Sequence, residues 1–298
     1  MSVGRSPFLR IDSNFRDQKE DSIEDMKRRI ILEERDNLFK SVGNSDLAMI
    51  AAAYLNWDAI RSGAGDRKKY CERLGLSFNG MRDLKQLVTQ LDSSLSSLGY
   101  ESSDDANRNI KSWRIIRACA TAALAPSQLV RVQRPVAKYA ETSEGAIEKD
   151  GVAKDLRFYI RVKSAGANQA DSKVTEERVF IHPSSSNFSV GSYSCPWLVY
   201  HELVRTSKAF LRDATECSAY SLLLFGGKLE VQASKGLILI DDWVRLAANA
   251  RIGALIGGLR RIVDELLSKK VEDPAFDIAA TVEMKLIVNL LVSDGLGH

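Results

Sequence analysis

The chain has 298 residues, 45 % hydrophobic and 27 % charged, a globular composition with room for two or three compact domains. A net charge of +3 sets no global electrostatic preference, so any basic surface must come from how the charges are distributed. Cys71, Cys119, Cys195 and Cys217 are widely spaced without a CxxC pair, and no apolar run is long enough for a signal peptide or a membrane span. These features exclude a disulfide scaffold and a membrane protein, and they lead us to expect an intracellular chain, cytoplasmic or nuclear.

The first third reads as helices. EDMKRRIILEERDNLFKS (24–41) brings Met26, Ile30, Leu38 and Val42 near one face. NSDLAMIAAAYLNWDAIRSG (44–63) has Ser45 at the capping position and Gly63 as a stop. NGMRDLKQLVTQLDSSLSSLG (79–99) carries a stripe of Met81, Leu84, Leu87, Val88 and Leu91. A fourth helix is expected from Asp104 to Leu124, stopping before Pro126.

The pattern then turns to short β-branched and aromatic runs at 129–140, 156–164, 177–183, 196–207 and 209–217. Five strands in about 90 residues suit a small barrel of the OB type, whose faces and loops bind oligonucleotides. The polar stretches at 140–155 and 165–176 read as surface loops. SAYSLLLFGG is a short apolar segment stopped by Gly226 and Gly227. From Asp241 onward helix returns, with Trp243, Leu246, Ala250, Leu255, Leu259, Ile262, Val263 and Leu266 on one apolar face, and a last helix follows in FDIAATVEMKLIVNLLVSDG. The expected class is α+β: a helical domain over 1–125, a five-stranded OB-like barrel over 126–240, and a helical extension over 241–298.

YHELVRTSK (200–208) begins like a zinc peptidase motif, but the fifth position of HELVR is Arg205, a cation where the second histidine of HExxH must stand. GALIGG (253–258) is glycine-rich without a following lysine and reads as a packing surface, so no phosphate loop is expected. The sequence thus predicts no catalytic residue and no metal site. The positive signal is charge. No acid occurs from Ala106 to Ala140, while Arg108, Lys111, Arg114, Arg117, Arg131, Arg134 and Lys138 do. A one-sign run beside a candidate OB barrel fits a nucleic-acid footprint, and equally a solvated helix face with ordinary strand charges. IHPSSSNFS (181–189) adds hydroxyl and amide donors suited to phosphate and ribose, or to a capped turn.

VFIHPSSSNF, WLVYHELVRTSKAFLRDAT and LLLFGG, in that order, resemble the C-terminal OB-fold domain of DExH-box RNA helicases, the DEAH and RNA-helicase-A-like group. GRSPF, NSDLAMIAAAYLNW and YCERLGLSFNGMRDLKQLVTQL resemble the helical ratchet region (HA2) of the same family, and ALAPSQLVRV its entry into the OB-fold. The resemblance covers roughly residues 4–240. It departs from the family where SDHL reads SDLA, in the long charged segment near 10–36, and in residues 241–298, which match no motif we assign. Both RecA-like lobes and the winged helix are missing from it.

The resemblance implies an accessory region of an ATP-dependent RNA helicase that grips single-stranded RNA beside RecA-like lobes supplied in cis or trans. ATP and Mg2+ would belong to those lobes, so no cofactor is expected here. The expected RNA contacts are His182, Ser184 and Ser185 in the HPSS loop, Arg205, Thr206, Lys208 and Arg212 in the strand pair, and Arg131 and Arg134 on the first strand. Trp197 and Tyr200 are expected in the core. The alternative is a stand-alone RNA-binding adaptor that docks a protein partner through its C-terminal helices.

Overall fold

Capping and apolar spacing define the first helices. In the computed structural model, Ser77 Oγ accepts from Gly80 N at 3.1 Å and opens α4 (Phe78–Ser97), which buries Met81 and Leu84. Before it run α1 (Ile23–Val42), α2 (Asp46–Asp58) and α3 (Ala64–Leu74). The structure describes residues 6–11, 23–100, 107–134, 139–142, 145–148, 152–163 and 174–295; for 139–142, 145–148 and Lys163 it describes the backbone alone. Contacts divide the chain into two compact units. One is Met1–Gly43 with Leu47–Arg108, the other Asn44–Asp46 with Asn109–His298, whereas the sequence places its domain boundary at 125/126.

The first unit is helical, around Ala53, Trp57, Cys71, Leu74, Leu76, Met81 and Leu84. Helix α3 escapes the sequence reading because AGDRKKYCERL is mostly charged and shows only Cys71 and Leu74 as buried positions. Gly63 opens this helix rather than closing α2, and Gly75 ends it in the left-handed region at φ 59°. Arg35 of α1 takes up the carbonyls left over there, donating to Leu74 O at 2.8 Å and Gly75 O at 2.6 Å. Burial draws its guanidinium down to about 10.

The second unit opens with α5 (Trp113–Leu124), shorter than the expected 104–124. A seven-stranded sheet follows: β1 (Leu129–Gln133), β4 (Arg157–Lys163), β5 (Val174–Ile181), β6 (Trp197–Val199), β7 (Glu202–Arg205), β8 (Ala209–Arg212) and β9 (Thr215–Glu216), in the order β7-β8-β5-β4-β1-β6-β9. All pairs are antiparallel except β5 with β8. The five expected strands become seven because two of them break. Residues 196–207 divide at Tyr200–His201, so that β6 pairs with β1 while β7 pairs with β8. Residues 209–217 divide at Asp213, whose φ of 53° cannot continue a strand. The expected surface loop at 140–155 contains a hairpin, β2 (Tyr139–Thr142) with β3 (Gly145–Glu148).

One face of this sheet buries Val130, Val132, Phe158, Ile160, Val179, Ile181, Leu198, Tyr200 and Leu211. The opposite face is covered at β1 and β6, where Leu129, Trp197 and Val199 pack with Leu222, Ile238, Ile240 and Ile256. Trp197 and Tyr200 are thus both buried. The cover comes from α6 (Ala219–Phe225), α7 (Ala250–Glu272) and a three-stranded sheet of β10 (Leu229–Gln232), β11 (Leu237–Ile240) and β12 (Val244–Ala247). Trp243 and Leu246 therefore lie in a hairpin and not on the expected helix. Asp241 and Asp242, both at positive φ, turn the chain between β11 and β12, and Asn249 caps α7 through Oδ1 on Ile252 N. Helix α8 (Val282–Ser293) packs Ile287 and Leu291 with Ala118, Leu224 and Val263.

Two glycines of α7 differ in what surrounds them. A Cβ at Gly253 would lie 2.5 Å from Val231 Cγ1, whereas one at Gly257 would meet nothing within 4 Å. Gly253→Ala should therefore destabilise the chain by about 1–3 kcal/mol through overpacking, and Gly257→Ala should stabilise it by about 0.5–1 kcal/mol. Urea unfolding of the two variants checks this; shifts of the same sign would contradict the packing.

Candidate nucleic-acid interface

Strand periodicity builds the open part of the sheet. With Val179 and Ile181 buried, Arg178, Phe180 and His182 stand on the opposite face of β5 and just beyond it. With Ala209 and Leu211 buried, Phe210 and Arg212 do the same on β8, and Phe180 lies beside Phe210 in the parallel register. Tyr159, opposite Arg178, and Arg161, opposite Glu176, continue this face onto β4. Arg131, opposite Tyr159, continues it onto β1.

Cations and rings alternate across that face. Arg161 lies 5.2 Å from the Trp243 ring centroid, Arg131 5.0 Å from Tyr159, Arg178 5.0 Å from Phe180, and Lys208 Nζ 4.8 Å from Phe180. Arg161 also donates to Asp241 O at 2.5 Å and Asp242 O at 2.8 Å. Glu176 accepts from Arg131 at 3.2 and 2.5 Å and from Trp243 Nε1 at 2.7 Å, and the bonds from Arg131 hold its carboxyl below the usual range. Arg212 pairs with Glu202 at 3.2 Å.

The expected contact residues divide into four groups. His182, Lys208, Arg212 and Arg131 share this face, and Ser184 joins them through Oγ, 2.7 Å from His182 Nδ1. Thr206 sits in the turn before Lys208, its N–H donating to Lys208 O at 2.9 Å. Arg205 is turned away: it lies opposite buried Ala209 and makes a two-pronged pair with Glu177 at 2.6 and 2.8 Å. Ser185 is also turned in, its hydroxyl donating to Asp46 Oδ2 at 2.5 Å. Arg134 is exposed just past β1.

The acid-free run at 106–140 does not make a single patch. Arg117 is half-buried and desolvation lowers its pKa, and Arg114 donates to Val292 O on α8. Lys138 lies outside the described residues. The HELVR stretch is extended, with Glu202 already paired to Arg212 in β7, so it lacks the helix that places two zinc ligands on one face. Arg178, Phe180, Phe210, Tyr159 and Arg161 do not stand out in the sequence because the acid-free run and the HPSS motif lie elsewhere, and strand parity alone brings these five onto one face. The signal for them was the alternation in ERVFIHP and KAFLR.

A buried carboxylate fixes the loop behind this face. Asp46 accepts from Ser185 Oγ, Ser186 N at 2.9 Å, Asn187 Nδ2 at 3.2 Å and Ala214 N at 3.0 Å. Asn187 also donates to Ala214 O at 2.9 Å, and Tyr193 Oη donates to Asn187 Oδ1 at 3.2 Å. Burial raises Asp46 to about 6, opposed by the bonds from Ser185 and Asn187 and reinforced by Asp213. Among the described residues no helix is long and apolar enough to cross a membrane.

Comparison with known proteins matches two stretches, both within the second unit. Residues 116–229 match the family model described as an oligonucleotide/oligosaccharide-binding (OB)-fold, and residues 236–293 match the C-terminal domain in RNA helicases. The second match covers most of the stretch for which the sequence offered no motif. A Mycosarcoma maydis protein described as a DEAH-box ATP-dependent helicase is 32 % identical over 285 residues, covering 85 % of this chain and 17 % of that protein. The ATP-dependent DNA/RNA helicase DHX36 of Mus musculus is 30 % identical over 256 residues (83 % and 23 %), and the human ATP-dependent RNA helicase DHX29 27 % identical over 259 residues (85 % and 18 %). The chain spans about a fifth of the length of these relatives.

Asp46→Asn places an amide N–H where the carboxylate accepts, leaving a buried donor unmatched at a cost of about 1–3 kcal/mol. Because the folded-state value of Asp46 lies above that of an exposed aspartate, the folded chain takes up the proton first. Its contribution to stability is fully present below about pH 4 and is lost as pH rises through about 6. Thermal melts of both chains from pH 4 to 7.5 should show the wild-type advantage shrinking as pH rises; a constant difference would refute the linkage.

Proposed function

Because the chain is kin to the C-terminal region of DEAH-box ATP-dependent RNA helicases, we propose that it holds single-stranded RNA beside the RecA-like lobes of such a helicase. The observation that carries this reading is the open sheet face, where Lys208, Arg212, Arg178 and Arg131 outnumber Glu176 and Glu202. A surface of this kind attracts phosphates and releases counterions, so its affinity falls as salt rises. ATP and Mg2+ are assigned to the RecA-like lobes, and the RNA-dependent cycle to the whole helicase, inside the cell. His182 and Ser184 supply hydrogen bonds at one end of the face, and Thr206 lies at the β7–β8 turn.

The adaptor reading draws on a separate observation. Leu255, Leu267 and Val271 of α7 and Val282 and Leu286 of α8 are exposed. These helices are then the surface for a protein partner, which leaves the sheet face for RNA.

Lys208→Glu with Arg212→Glu should weaken binding to single-stranded RNA tenfold or more at about 50 mM salt, equally across sequences, because phosphates carry no sequence information. It should also flatten the dependence of affinity on salt. Arg205→Ala, removing a side chain on the opposite face, should change affinity less than twofold. Fluorescence anisotropy in a salt series reads both. Unchanged affinity in the double variant, or a large loss at Arg205, would place the RNA elsewhere.

A further inference from the structure

Two phenyl rings are left half-exposed in the middle of a charged face. Phe180 and Phe210 lie side by side across β5 and β8, with ring centroids 6.1 Å apart at 48°. His182 meets Phe210 edge-on, 5.8 Å away at 81°. Among the described residues, neither phenyl ring belongs to the buried clusters of the second unit, which draw on Val179, Ile181 and Leu211 from the other face of the same strands. Core filling therefore does not account for them.

Their covering is weak and replaceable. Arg178 and Lys208 both approach Phe180, at 5.0 and 4.8 Å. Exposed cation–π contacts are among the weaker attractions of a protein surface. A phosphate offers the same cations a charge-assisted bond that is stronger. When a nucleic acid arrives, each cation can therefore leave the ring for the backbone, and the uncovered ring can take a base. Tyr159, opposite Arg178 on β4, extends the aromatic row on the same face.

We propose that Phe180 and Phe210, bordered by His182, form a stacking platform for unpaired bases, so that RNA lies on this sheet with its bases inward and Arg178, Lys208 and Arg212 on its phosphates. This rests on the RNA-binding reading above and adds to it the ligand's orientation and its class, a single strand with accessible bases. Every base has a π-face, so such a platform tolerates any sequence. It rejects a duplex, whose bases are already stacked and paired.

The full chain is titrated at about 50 mM salt with three fluorescein-labelled probes: a 12-nucleotide oligouridylate, an abasic ribose-phosphate oligomer of equal length, and an RNA duplex. The oligouridylate should bind at least about fivefold more tightly than the abasic strand, in line with stacking contributions at other single-strand sites. Phe180→Leu and Phe210→Leu, which keep an apolar side chain without a π-face, should each remove most of that difference and leave abasic binding unchanged. Circular dichroism melts confirm that each variant is folded; should one fail, Phe180→Met or Phe210→Met replaces it. Equal affinity for the oligouridylate and abasic strands, with both lost in Lys208→Glu/Arg212→Glu, would overturn the platform while leaving a phosphate-binding face. Absence of binding to any probe, or binding indifferent to that charge reversal, would overturn the RNA-binding reading itself.

Discussion

The two-residue period of a strand is the constraint on which the rest of this sheet depends. Once Val179, Ile181 and Leu211 are committed to the core, the residues between them have nowhere to go but the other face. The composition of that face is then decided by the alternate positions of β4, β5 and β8: two phenylalanines, a tyrosine and several arginines. Cover over the same face at β1 and β6, from Trp243 and the β10–β12 sheet, leaves the remainder open. The boundary between covered and open is itself polar, with Glu176 receiving both Arg131 and Trp243.

The HPSS loop depends on a different kind of order. Ser185 and Asn187, which in sequence look like donors offered to a ligand, are spent on the Asp46 carboxylate. A buried carboxylate with four donors is expensive to remove from water and cheap to keep only while every donor stays in place. The geometry of His182 and Ser184 thus rests on residues behind them. Glu216 makes a second case nearby, accepting from Ser194 N, Cys195 N and Asn44 Nδ2.

Helices with clear apolar stripes, such as α4, could be read from sequence because their spacing repeats over several turns. The mixed α+β class and the OB-related motifs were legible for the same local reasons. What could not be read were partner choices. Nothing local says that Tyr200–His201 is where one strand leaves β1 for β8, or that Asp241–Asp242 turns a hairpin ahead of α7. Of the RNA contacts that the resemblance implies, Lys208 and Arg212 lie on the open face. Arg205 was grouped with them because it is near in sequence, yet one step of strand parity sets it on the other face. Arg117 reads as surface charge, but the fold leaves it half-buried with its pKa lowered by desolvation, which a one-dimensional charge run cannot show.

The Arg205–Glu177 pair has a consequence beyond ligand binding. Among the described residues β7 pairs on one side only, with β8, so its other edge offers unused amides and carbonyls. An open strand edge is a template for adding a strand from another molecule, and natural sheets guard it with charge. Glu202 and Arg205 mark the two ends of this four-residue edge, each held in an ion pair. The arginine that breaks the zinc motif thus puts a charge at one end of this edge, where natural sheets place their guard against strand addition.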